Sequence, residues 1–79
     1  MSMKIKCFGV VRDITSESEL IIEDRLSNVA ELKNYLKTQF PEFKNIGSCM
    51  IAVNQSYADD TTTIDENDEL AIIPPVAGG

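Results

Sequence analysis

An α+β domain, with one main helix across one face of a mixed four- to five-stranded sheet, is the fold this 79-residue sequence predicts. Three observations predict it. Short apolar runs with strand-like alternation flank a single stretch of helical periodicity. Their order reads β–β–α–β–(β)–β, the pattern of a roll. The first and last runs carry apolar residues on both faces, which places them side by side in the middle of the sheet.

Lys4 to Arg12 reads as the first strand, with Ile5 and Cys7 on one face and Phe8 and Val10 on the other. Asp13 to Ser18 is polar and turn-like. Glu19 to Glu23 alternates, Leu20 and Ile22 inward and Glu19 and Glu23 outward, as in a half-exposed strand. The main helix covers about 28–40. Asn28 can cap it, and Glu31 completes a capping box by reaching back to the cap N–H. Val29, Leu32, Leu36 and Phe40 form its apolar stripe, and Lys33 and Lys37 point toward solvent. Pro41 stops it, because the residue before a proline is pushed out of the α region. Glu42 to Ser48 reads as a loop, and Cys49 to Val53 as a third strand. Tyr57 and Ala58 form a short edge piece, and Asp65 to Asp68 a turn. Glu69 to Ile73 is the last strand, ending at Pro74-Pro75. The domain is expected to span 1–74, with 75–79 an extended, flexible C-terminal tail.

Composition excludes several classes of function. The net charge is −6, with seven basic residues, five of them lysines and none of them clustered. Nucleic-acid binders need a basic stripe to neutralise phosphates, so none is expected here. A protein partner with a basic surface is the natural complement. No basic-then-apolar leader and no long apolar run is present, so a cytoplasmic protein without membrane contact is expected. Cys7 and Cys49 lack CxxC spacing and the chain has no histidine, so no metal site is expected and buried core thiols are the better reading. Asp59-Asp60 and Asp65-x-Asn67-x-Glu69 lack the glycine and terminal bidentate glutamate of a calcium loop, which leaves a solvated turn.

The chemistry is concentrated at the end, Ile73-Pro74-Pro75-Val76-Ala77-Gly78-Gly79. Two terminal glycines arise by chance in about 0.5% of chains. The diproline cannot continue a ladder and favours extended backbone, so it projects the last residues from the body. Six residues reach about 20 Å at full extension. Glycines without a Cβ let a terminal carboxylate thread a narrow slot. A carboxylate is a poor electrophile and needs activation, for instance as an anhydride with AMP. The chain has no phosphate loop and no histidine for a triad, so another protein must activate it.

At these residues the sequence resembles the MoaD/ThiS family of ubiquitin-like sulfur carriers. The ending IIPPVAGG preceded by DENDELA carries the likeness, and the Pro-Pro-Val-x-Gly-Gly form resembles the molybdopterin synthase branch. It extends through Phe8 to Ile14, the helix start at Asn28 to Leu32, and Ala52-Val53-Asn54-Gln55. Asp13, Asn67-Asp68 and Ile73 depart from the family pattern and leave the tail intact.

The resemblance implies a ubiquitin-like β-grasp fold and a function. A MoeB-like enzyme would adenylate Gly79 with ATP. A cysteine desulfurase or rhodanese-type donor would then replace AMP with sulfur, giving a thiocarboxylate. The tail would insert into a MoaE-like large subunit, in a heterotetramer of two small and two large subunits, and donate sulfur to cyclic pyranopterin monophosphate. No permanently bound cofactor is implied, and the chain would be a non-catalytic sulfur donor. Gly78 and Gly79 would be the threaded pair, with Pro74, Pro75, Val76 and Ala77 as stem contacts. Phe8 and Ile73 map onto the partner-facing surface, although core packing competes for Phe8. Arg12 could pair with an acidic partner group or simply be solvated. The rival functions are a carrier for thiazole synthesis, a lysine-conjugated modifier and an inert β-grasp module.

Overall fold

In a computed structural model of the chain, the described residues are 2–45 and 49–75. Three consecutive inward side chains, Met3, Ile5 and Cys7, make β1 (Met3–Cys7), with Lys4 and Lys6 exposed between them. The strand ends earlier than the expected Arg12. Phe8 remains extended, but Gly9 takes φ +54° and turns the chain into α1 (Gly9–Thr15). Only glycine adopts that conformation without steric cost. The apolar weight of Val10 and Val11 therefore belongs to a helix, with Val11 buried, and not to a second face of β1. Asp13 to Thr15 is helical where a turn was expected. Ser16, at φ 62°, closes the helix by donating its N–H to the Arg12 carbonyl at 2.8 Å.

β2 (Glu19–Ile22) pairs antiparallel with β1. The main helix α2 (Val29–Gln39) follows, with its N-terminal amides matched one by one. The N–H groups of Val29 and Ala30 donate to the carbonyls of Thr62 and Asp60, and that of Glu31 to Asn28 Oδ1 at 2.9 Å. The amides a helix start leaves open are thereby satisfied. Glu31 also reaches back, but it accepts from Ser27 N–H at 2.7 Å, one residue before the expected cap amide. Val29, Leu32 and Leu36 are buried, and Phe40 is half-buried. Pro41 ends α2 as expected, yet the next segment is a 3-10 helix, Pro41–Asn45, where a loop was expected. It turns Phe43 into the core, edge-on to Phe40 with ring centres 6.1 Å apart.

β3 (Met50–Val53) and β4 (Ser56–Ala58) form a hairpin whose two-residue turn, Asn54-Gln55, has positive φ at both positions. β5 (Leu70–Ile73) completes a five-stranded sheet of order β2-β1-β5-β3-β4, parallel to β1 and antiparallel to β3. The first and last strands do lie together in the middle. The stated reason holds less well, because the outer side of β1 is Lys4 and Lys6. The core is Ile5, Ile22, Ile51, Leu70 and Ile72 from the sheet against Val11, Val29, Leu32, Leu36 and Phe43 from the helices. Cys7 is buried as expected, Cys49 only partly, and both are free thiols. No helix among the described residues is long and apolar enough to cross a membrane.

Candidate functional site

β5 positions the end of the chain. Leu70 and Ile72 point into the core, so Ala71 and Ile73 lie on the opposite, helix-free face. Paired residues share a face, and Ile73 pairs with Met50, Ala71 with Ala52, and Ala52 with Tyr57. Met50 is 48% exposed and Tyr57 68%. Phe8 continues β1 in extended conformation beyond the Cys7↔Ile72 pair, which brings it alongside Ile73, and it is 47% exposed. Core packing of Phe8 is thereby overturned. The result is an exposed apolar patch around the end of β5.

The root of the C-terminal segment sits against this patch. Pro74 is half-buried and Pro75 exposed. A Cβ added at Gly9 would stand 3.5 Å from Pro74 Cγ, so the Phe8-Gly9 corner lies directly beside the root. Arg12 is exposed on α1. Val76, Ala77, Gly78 and Gly79, the remainder of the predicted site, lie outside the described residues. Met50 and Tyr57 were not nominated from sequence, since only strand register puts Met50 beside Ile73 and Tyr57 opposite Ala52 on the same face.

The other end of the same face is charged. Lys6 Nζ lies 3.0 Å from Glu69 Oε2, with Lys4 and Glu19 nearby on β1 and β2. Carboxylates expected to be simply solvated are in fact used locally. Asp68 accepts from Asn54 Nδ2 at 3.0 Å and from Asp65 N–H at 2.8 Å. Hydrogen bonds from the Thr61 hydroxyl and N–H and the Thr62 hydroxyl hold Asp59 below the usual carboxylate range.

Across the sheet, basic residues that look scattered along the chain converge. Lys33 and Lys37 of α2 and Lys44 of the 3-10 helix line a cleft of about 410 Å³, floored by Leu36, Phe43, Ile51 and Ile72. Cys49 also lines it, and burial pushes its thiol pKa up despite the opposing pull of Lys33. Among the described residues no group of three or more metal-ligating side chains is present.

The patch around β5 and the diproline root invite comparison with known proteins, and the model of the ThiS family matches residues 5–79. The chain belongs to the ThiS family. Two similar proteins are both called molybdopterin synthase sulfur carrier subunit. The Arabidopsis thaliana protein is 31% identical, over 100% of this chain and 84% of its own length. The Dictyostelium discoideum protein is 36% identical, over 96% of this chain and 94% of its own. Among solved structures, a complex of subunits 1 and 2 of the molybdopterin-converting factor from Helicobacter pylori contains a chain of the same fold. That chain is 26% identical with a TM-score of 0.68, over 100% of this chain and 100% of its own length. This ThiS-family member thus has the ubiquitin-like β-grasp fold that the resemblance implied.

Proposed function

We propose that this chain is the sulfur-carrier subunit of a molybdopterin synthase, working through the carboxyl group of Gly79. The observation that carries the proposal is the exposed apolar patch of Phe8, Met50 and Ile73 beside the Pro74 root. A partner that covers this patch also meets the Pro74-Pro75 root of the C-terminal segment. Relatives named as molybdopterin synthase sulfur carrier subunits, matched over 84% and 94% of their own length, support the same reading.

In this reading the Gly79 carboxylate attacks the α-phosphorus of ATP on an adenylating enzyme, and pyrophosphate leaves. A persulfide carried by a cysteine desulfurase or a rhodanese-type protein attacks the acyl carbon and displaces AMP. A thiol then cleaves the S–S bond of the resulting acyl disulfide, ending in a disulfide itself as the thiocarboxylate is released. Sulfur is the more polarisable atom and the better nucleophile. It is transferred to cyclic pyranopterin monophosphate, and water returns the terminus to a carboxylate. The body of the domain contributes docking and reach. Acid and base groups belong to the larger synthase subunit, because this chain has no histidine and the patch is apolar.

The test is acceptor choice. Thiocarboxylated protein is offered in parallel to a molybdopterin synthase large subunit with its pterin substrate and to a thiazole synthase with its own. Dithiolene formation with the first, and none of the thiazole product with the second, is the expected result. The reverse outcome assigns the chain to thiazole synthesis.

A further inference from the structure

The three-lysine cleft lies outside the apolar patch and plays no part in the reading above. Lys33, Lys37 and Lys44 are three of the seven basic residues of a chain whose net charge is −6. Lys33 and Lys37 stand one turn apart on α2, a spacing at which like charges repel. Lys44 faces them from the 3-10 helix. Asp60 approaches Lys33 at 2.8 Å, but among the described residues neither Lys37 nor Lys44 is in an ion pair. Cys49 is a poor counter-charge for them, because partial burial pushes its thiol pKa up and disfavours the thiolate. The cleft is therefore a local excess of positive charge over an apolar floor, on a protein that is negative elsewhere.

Its position matters as much as its charge. Ile51 and Ile72, paired across β3 and β5, form part of the floor. The next pair along the sheet is Met50 with Ile73, on the outer patch. The cleft thus opens at the end of β5 from which the C-terminal segment continues, on the helix side, while the apolar patch occupies the other side. Both surfaces therefore lie near Ile73 and the Pro74 root, within reach of a protein that acts on the C-terminal segment. Charge complementarity at such a site sets encounter rate and orientation.

We propose that this cleft is a second docking surface, for an acidic segment of the ATP-dependent enzyme that adenylates Gly79; this rests on the carrier reading above. Acidic side chains of that segment meet Lys37 and Lys44, and an apolar side chain beside them covers Phe43 and Leu36. The outer patch remains available to the same or another partner.

The experiment measures ATP-dependent pyrophosphate release by the adenylating enzyme, with the full chain as substrate, over a series of salt concentrations. K37E/K44E is compared with wild type, K37R/K44R and K37Q/K44Q. Lys33 is left in place to keep its Asp60 contact. The expected result is a KM raised about tenfold or more for K37E/K44E at an unchanged kcat. The wild-type rise of KM with salt should flatten in that variant, and the arginine pair should behave as wild type. The glutamine pair removes charge without adding any. It should fall between, and it carries the result if the glutamate pair does not fold. An unchanged KM and salt dependence, or a loss of kcat at constant KM, overturns the proposal while leaving the carrier reading intact. A wild-type chain that releases no pyrophosphate overturns both. Native mass spectrometry of the full chain covers the other occupants. A second copy or a small anion that is bound to wild type and lost from K37E/K44E assigns the cleft to that occupant and overturns the proposal.

Discussion

β5 begins and ends in different chemistry. Its start is locked by polar contacts. Asn54 donates its backbone N–H to the Glu69 carbonyl at 2.7 Å, accepts from Glu69 N–H through Oδ1 at 2.9 Å, and donates Nδ2 to Asp68 at 3.0 Å. The Asp65–Asp68 turn closes on itself with further hydrogen bonds. Its far end has Ile73 among Phe8 and Met50, with exposed apolar side chains in place of such a network. One strand of four residues is thus anchored by hydrogen bonds at one end and offers hydrophobic surface at the other. The difference separates what holds the domain together from what it presents to a partner.

The largest effect should come from the presenting end. Removing Gly79, or capping it with an added residue, should abolish sulfur delivery in a reconstituted synthase while the melting temperature stays the same. Next, neighbouring isoleucines on opposite faces should divide stability from association. Ile72 is fully buried, and Ile72→Ala should cost about 2–5 kcal/mol in denaturant titration. Ile73→Ala should cost much less stability, yet weaken binding to the large synthase subunit about tenfold by calorimetry, as loss of an apolar anchor does. Equal stability losses with no change in affinity would erase the distinction between the two faces.

The anchored end should respond only in stability. Asn54→Ala removes two side-chain hydrogen bonds and a residue suited to positive φ. It should lower unfolding free energy by about 1–3 kcal/mol without altering partner affinity. Gln55 holds φ 71° at the second turn position, where glycine fits a two-residue hairpin turn better. Gln55→Gly should therefore raise stability by about 1 kcal/mol. The smallest effect is on the acid limb. Hydrogen bonds from Thr61 and Thr62 lower the Asp59 pKa in the folded state. Its contribution is present above the unfolded pKa and lost as pH falls through the folded one. Asp59→Asn should lower stability slightly at neutral pH and flatten that part of a stability-against-pH curve, so that variant and wild type converge as pH falls.

How much of this was legible in the sequence depended on how local the signal was. α2 could be read from its cap, its apolar stripe and Pro41, all within one short segment. The missed helix α1 shows the converse. Val10 and Val11 are β-branched and favour strands, and only Gly9 marked the break, through a backbone conformation that the residue name permits without requiring it. That same miss made β1 look two-sided, so its central place in the sheet was reached for an incomplete reason. Phe8, Ile73 and the diproline could be nominated from the resemblance. Met50 and Tyr57 could not, because their place in the patch depends on which residues of β3, β4 and β5 face each other. The lysine cleft was the least legible feature, since Lys44 reaches α2 only through the unforeseen 3-10 helix.

The central claim is that a folded, non-catalytic body presents the Gly79 carboxyl for another protein to convert. Intact mass measurement of the full chain after incubation with ATP, an adenylating enzyme and a sulfur source tests it most directly, followed by fragmentation to locate any change. The account predicts the mass gain of one oxygen replaced by one sulfur, confined to Gly79 and dependent on ATP. A chain that stays at its starting mass, or gains sulfur only at Cys7 or Cys49, would contradict it.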